Sequence, residues 1–264
     1  KLLVYQNAQT DAKEEIAPVH ISPSSLEIKD EKDEQGAVPC SEIDVIVKKS
    51  IPKREFKKSA KNKGKNENVQ PRFGYNDFGT IAHKTLENRF SANFSEIPLK
   101  LYDGIDDEKD IDAINTICSN MADSFEKSEL FAECKKATES GNAEMYSEYA
   151  FRSALDFVDL SGKKQAVIVS GSMDLVFKNA STSPYKYTIV DYKTDRFMHK
   201  ERYIPQLSCY RAAAADIFGC DATEIRCVLY FLRYNADVDI SKECSLESAT
   251  AELQRILSAG GKND

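Results

Sequence analysis

The chain has 264 residues, of which 41% are hydrophobic and 30% charged, and its formal net charge is −7. That length suits one sizeable domain with extensions or two small ones, and the balance is that of a soluble globular protein. No apolar run approaches bilayer length, the N-terminus lacks the apolar core of a signal peptide, and the acidic charge makes no bulk case for nucleic-acid binding, although a local groove can stay basic beneath it.

The first residue is Lys rather than Met, which is compatible with a fragment of a longer polypeptide. Seven cysteines, an odd number without a CxxC pair, accompany only three histidines. Neither a zinc site nor a disulfide framework fits that pattern. Reduced cysteines in a cytosolic protein, several buried as small apolar residues, are expected instead.

Residues 1–17 carry no clear pattern. The stretch 20–28, HISPSSLEI, reads as a short extended piece or as a helix start capped by Ser22 or Ser24. Residues 29–72 are highly polar. Within them Lys48–Arg72 is dense in Lys, Asn and breakers, and too poor in apolar residues to offset its ordering entropy. A flexible linker is expected there, with a basic arm touching phosphates as the alternative. The chain thus divides into 1–72, an extension and linker, and 73–264, the folded domain.

Order resumes near Asn76. Phe78, Ile81, Ala82, Leu86 and Phe90 recur at helical spacing, with Asp77 as the expected N-cap and His83 beside the stripe. A second stripe, Ile111, Ile114, Ile117, Met121 and Phe125, predicts one or two helices over 109–139. Partial alternation over Ala143–Leu155 predicts a strand carrying Glu148. Two β-branched runs, Val167–Phe177 and Tyr185–Tyr192, flank Asn179, Ser181, Ser183 and Pro184 and predict a β-hairpin. Glu201–Gly219 reads as a helix with Pro205 in its first turn and Gly219 as C-cap. A strand over Ile225–Tyr234 and an amphipathic helix over 245–258 complete the order. The predicted class is α/β (α+β), a mixed central sheet flanked by helices.

Chemistry gathers on the hairpin. Asp174 interrupts its first run and Asp191 its second, and Lys193 follows two residues later on the same face, roughly 7 Å along the strand. Charges in apolar strands are costly unless paired or bound to a metal. Carboxylates with few histidines and no thiolate pattern suit Mg²⁺ or Mn²⁺ better than zinc. A metal-acidified water can attack a phosphodiester, while Lys193 orients that water, helps deprotonate it or stabilises charge on the phosphate. Gln206 and Tyr210, four apart, share a helix face.

Gly171-x-x-Asp174, then Asp191-Tyr192-Lys193-Thr194, then Gln206-x-x-x-Tyr210 resemble the PD-(D/E)xK nuclease superfamily in its RecB-like branch. The phrase VDYKTD at 190–195 is most similar to the C-terminal nuclease domain of AddA-type helicase–nuclease subunits. Gly79-x-x-x-His83 matches the family's early helix, and Glu148 falls where the family has a Glu on its first core strand. The resemblance covers about residues 74–235, and ISPSSLE resembles a motif that precedes the domain.

The resemblance implies a restriction-endonuclease-like core and metal-dependent hydrolysis of single-stranded DNA in double-strand-break repair. It makes Asp174, Asp191, His83 and the Tyr192 carbonyl metal ligands, Lys193 the catalytic lysine, and Glu148 an accessory carboxylate near the metal. Gln206 and Tyr210 become residues that position DNA or Lys193. It also implies a helicase domain in the same polypeptide and an AddB-type second subunit. The cysteines lack the closely spaced C-terminal trio of the cluster-bearing relatives, so no iron–sulfur cluster is expected. No GxxxxGK[ST] occurs, so no ATP site is expected in this chain. A stand-alone RecB-like exonuclease and an inactive DNA-binding or assembly module are the alternatives.

Overall fold

The computed structural model describes residues 20–28, 41–50, 73–91, 94–137, 144–158 and 163–260. The element order is β1 (His20–Ile21), α1 (Ser41–Lys49), α2 (Tyr75–Phe90), α3 (Glu108–Glu126), α4 (Glu129–Ala137), β2 (Met145–Val158), β3 (Lys164–Lys178), β4 (Tyr187–Lys193), α5 (Ile204–Phe218), β5 (Ile225–Phe231), β6 (Ala236–Asp239) and α6 (Leu246–Gly260). The six strands form one mixed sheet flanked by helices, which bears out the expected class. Most described cysteines are buried, as small apolar residues would be.

The longest strand, β3, organises the sheet. Antiparallel β2 occupies one of its edges from residue 164 to 177. The other edge is shared. Parallel β1 pairs at Ile168 and Val169, and antiparallel β4 pairs from Leu175 to Lys178. Between these two partners, among the described residues, no strand pairs with the stretch of β3 from Ser170 to Asp174 on that edge. Beyond β4 lie parallel β5 and antiparallel β6.

Each sheet face has its own core. One gathers Val167, Val169, Met173, Ile189, Leu229 and Phe231 beneath Leu207 and Tyr210 of α5 and Leu253 of α6. The other gathers Leu175, Phe177, Val190, Tyr192 and Tyr230 beneath Ile43 of α1, Ile81 of α2, Ile114 of α3 and Phe131 of α4. Each fully buried large apolar side chain contributes about 1.5–3 kcal/mol, so both layers hold the sheet.

Several local signals act as the sequence predicts. Pro205 sits in the first turn of α5, where its missing N–H has no partner to lose, and Gly219 ends the helix at φ 62°. Lys127 and Ser128 break the long helical stripe into α3 and α4. Asp77 is not the N-cap of α2. Gly74 holds that position, and Asp77, three residues on, accepts a hydrogen bond from the Gly74 N–H at 3.0 Å. In the 20–28 stretch, β1 leads into a 3-10 turn, Pro23–Leu26, whose N-cap Ser22 makes no side-chain capping bond.

Parts of the 1–72 stretch belong to this body. β1 joins the sheet, and α1 buries Ile43 and Ile46 against the helical layer. Of the linker expected over Lys48–Arg72, Lys48 and Lys49 instead close α1 and Ser50 is buried, while residues 51–72 lie outside the described residues.

Candidate active site

Asp174 and Asp191 stand opposite each other by register, one step beyond the Leu175–Val190 pair. Asp174 Oδ2 instead accepts a hydrogen bond from the Tyr192 N–H at 2.7 Å, so a carboxylate takes the place of a strand carbonyl as β3 and β4 separate. On the other side of β3, Glu148 faces Asp174 in the register set by Ser147–Leu175 and Tyr149–Met173. Three carboxylates thus form a row across β2, β3 and β4. Glu148 has φ 50°, in the left-handed region that bulky residues avoid.

The fourth group comes from α2. His83 Nδ1 lies 3.2 Å from Asp174 Oδ1, and its ring stands edge-on to Tyr192 at 6.0 Å. Gly79, one turn earlier, lets α2 approach the end of β4, since a Cβ there would lie 3.0 Å from Thr194 Oγ1. Ligand atoms of His83, Glu148 and Asp174 lie within 4.8 Å of one another.

Lys193 lies beside this trio. It is 8% exposed, with Nζ 2.7 Å from Asp191 Oδ2, 3.7 Å from Glu27 Oε1 and 4.1 Å from the Tyr203 ring centroid. Lys193 can only donate, so it fixes the amide of Gln206, whose Oε1 accepts at 3.0 Å while Nε2 donates to the Tyr210 hydroxyl at 3.1 Å. The shared face expected of Gln206 and Tyr210 is therefore a hydrogen-bonded relay onto Lys193.

Burial and charge compete here. Burial pulls the His83 imidazole down, but the Asp174 carboxylate outweighs it and holds the ring at about 9. Burial pushes Asp174 up, and His83, Lys193 and the Tyr192 N–H bring it below the ordinary carboxylate range. For Asp191 burial prevails over the pull of Lys193, and its carboxyl is raised to about 7. Burial and the Asp174 charge raise Glu148. Burial opposes the charge on Lys193, yet Asp191 and Glu27 keep it above the usual lysine value.

The residues fit a divalent cation. Two carboxylates and an imidazole converge without a thiolate, a hard-donor set. Asp191 stands next to this set, its Oδ2 buried and paired with the Lys193 ammonium at 2.7 Å. The expected grouping therefore differs in one respect. The structure places Glu148, rather than Asp191, in the close trio with His83 and Asp174, and pairs Asp191 with Lys193. The Tyr192 backbone enters through its N–H, and its aromatic ring packs in the helical-side core.

All these groups open into one cleft of about 700 Å³, also lined by Ser24, Tyr75, Thr80 and Asp195. Glu27 is the site residue that the motifs did not assign. Its signal was the ISPSSLE stretch, which carries no chemistry until the fold brings it to Lys193.

This carboxylate row, the lysine and a hard-donor group able to hold a cation fit a metal-dependent phosphodiester hydrolase. The chain belongs to the PD-(D/E)XK nuclease superfamily, whose family model matches residues 54–260. Nucleases of this superfamily use divalent metals. No curated protein matches the chain significantly. No helix among the described residues is long and apolar enough to cross a membrane.

Proposed function

We propose that this domain is a Mg²⁺-dependent deoxyribonuclease, with Mn²⁺ as a substitute, that cuts single-stranded DNA. The observation that carries this is the placement of Lys193 Nζ between Asp191 and Gln206, beside the His83–Glu148–Asp174 trio. When bound, the cation would acidify a water and neutralise charge on the scissile phosphate. His83, Glu148 and Asp174 would hold it, with Asp191 and the Tyr192 carbonyl as the further ligands. Lys193 stays protonated among its carboxylates, so it acts as a cation that orients water and stabilises phosphate charge. Gln206 and Tyr210 aim it.

In this reading the domain serves an ATP-dependent helicase–nuclease in double-strand-break repair and acts as an exonuclease on strands that a motor delivers. The VDYKTD phrase and the ordered Gly-x-x-x-His, Gly-x-x-Asp and Gln-x-x-x-Tyr elements support that context. A helicase domain in the same polypeptide and an AddB-type subunit are its partners, and the cytoplasm its location.

The test is cleavage of end-labelled single-stranded DNA by the purified chain with Mg²⁺ or Mn²⁺. Wild type is expected to release labelled fragments, and EDTA, Asp174→Ala or Lys193→Ala to abolish release. Cleavage that survives Asp174→Ala, or no cleavage with either metal, overturns the nuclease reading. Helicase motifs in the upstream coding sequence test the motor context, and their absence removes it.

A further inference from the structure

Residues 20–28 form a strap across the unpaired stretch of β3, and the strap is fixed at both ends. At its start, His20 and Ile21 pair with Ile168 and Val169. At its end, the Ile28 N–H donates to the Arg202 carbonyl at 3.0 Å, and Arg202 Nε donates to the Ile28 carbonyl at 3.1 Å. Between these anchors Pro23 seats on Gly171, where an added Cβ would lie 2.9 Å from Pro23 Cδ. Leu26 is fully buried in the core beneath α5. β1 runs parallel to β3, so the strap advances from Val169 toward Asp174. It fills the edge that β4 leaves open, and it delivers Glu27 to Lys193.

We propose that Glu27 is a positioning residue of the active site: it holds the Lys193 ammonium from the strap, an element separate from β4 and α5, so the strap completes the catalytic centre. This role rests on the nuclease reading above. Lys193 has four rotatable side-chain bonds, and a lysine ammonium is a point charge without the fixed fork of a guanidinium. Asp191 and Gln206 approach it from β4 and α5, and the Tyr203 ring covers one flank. Glu27 supplies a second carboxylate from a different element, at 3.7 Å, with its side chain 28% exposed to the cleft. Without it, among the described residues, Asp191 is the remaining carboxylate within ion-pair distance of the ammonium. A misplacement of about 1 Å at such a group can reduce rate by on the order of 100-fold. Residues 20–28 precede the 54–260 span of the family match, so the site draws on chain outside that span.

The test compares the whole chain with Glu27→Gln, Glu27→Ala and Glu27→Asp in two measurements. The first is the rate at which an amine-acylating reagent labels Lys193, followed by peptide mass spectrometry, which needs no nuclease activity. Labelling is expected to rise several-fold in Glu27→Gln and Glu27→Ala and less in Glu27→Asp. The second is single-turnover cleavage of labelled DNA, with DNA affinity measured separately by fluorescence anisotropy. The Gln and Ala variants are expected to cut roughly 10- to 100-fold more slowly, with Glu27→Asp partly restored and DNA affinity unchanged. Unchanged labelling, or faster labelling with an unchanged cleavage rate, overturns the proposal. So does a rate loss that tracks an equal loss of DNA affinity or of melting temperature. A wild-type chain that labels as expected but cuts nothing overturns the nuclease reading, while the labelling comparison still decides whether Glu27 holds Lys193.

Discussion

Glu148 faces Asp174 across β2 and β3 at the point where both strands change face. Met173 lies in the α5-side core and Leu175 two residues later in the helical-side core, whereas a regular strand would put them together. On β2, Tyr149 packs on the first core and Met145 on the second, although they are four residues apart. The register is the same on either side of the slip, so the two strands turn over in step. The left-handed backbone of Glu148 falls at this turnover, and its carboxylate lies near Asp174 and His83.

Holding a non-glycine residue there costs about 1–2 kcal/mol. Glu148→Gly and Glu148→Ala both remove the carboxylate, but only glycine removes the strain. The Gly variant is expected to be about 1 kcal/mol more stable than the Ala variant in urea unfolding, after allowance for the greater freedom of unfolded glycine. Equal midpoints would show that the φ of 50° is not a source of strain. Both variants are expected to bind Mn²⁺ more weakly than wild type.

Divalent-metal affinity is expected to rise with pH. His83, held at about 9, must lose its proton to bind a cation, and Asp191, raised to about 7, must do the same if it joins the set. One proton leaves between those values, so affinity rises about tenfold per pH unit there, and more steeply below 7. Without metal the sign reverses for folding. The folded value of His83 lies above its unfolded 6.5, so its stabilisation is whole below 6.5 and disappears as pH passes 9. The ring keeps 30% of its exposure, and screening reduces that loss to on the order of 1–2 kcal/mol. Calorimetric Mn²⁺ titrations and urea melts in EDTA at pH 6.5, 7.5 and 8.5 measure both. A flat metal affinity would mean that neither proton is displaced.

Much of this was legible in the sequence because the signals are local. The hairpin follows from two β-branched runs around turn residues, α5 from Pro205 and Gly219, and the cluster from carboxylates where strands should be apolar. Three features were not. The nine-residue α1 sits in a polar stretch, and its core signal is short, Ile43, Ile46 and Val47, with acids in the first turn and lysines in the last. The face change at Glu148 and Asp174 violates the alternation on which strand reading depends. Glu27 reaches Lys193 across 166 positions of sequence, which no periodicity encodes.

Gly171→Ala is expected to destabilise the fold, although alanine usually favours a strand over glycine. Its Cβ would lie 2.9 Å from Pro23 Cδ and 3.4 Å from Pro23 Cγ, and Pro23 is tied down by β1 and Leu26. Overpacking of this kind costs about 1–3 kcal/mol. Pro23→Ala removes both offending atoms, so the double variant is expected to recover most of the loss. A double variant no more stable than Gly171→Ala would locate the clash elsewhere.

Lys193→Met is expected to lower stability in a pH-dependent way. The change leaves Asp191, 3% exposed, without the cation 2.7 Å away. An unpaired buried charge costs about 3–5 kcal/mol, but a carboxyl avoids that cost by taking a proton. Asp191 already sits near 7 with Lys193 present, and losing the cation raises it further. Near pH 6 the variant carries a neutral Asp191 and loses little. As pH climbs through 7 and beyond, ionisation becomes progressively more costly in the folded state, while the unfolded carboxyl is ionised throughout. The gap in unfolding free energy between wild type and Lys193→Met is therefore expected to widen from pH 6 to 8.5. Adding Asp191→Asn to Lys193→Met removes the titrating group and is expected to flatten that dependence. Urea melts of the three proteins in EDTA decide the matter, and a gap that stays constant with pH would show that Asp191 is not the group left unpaired.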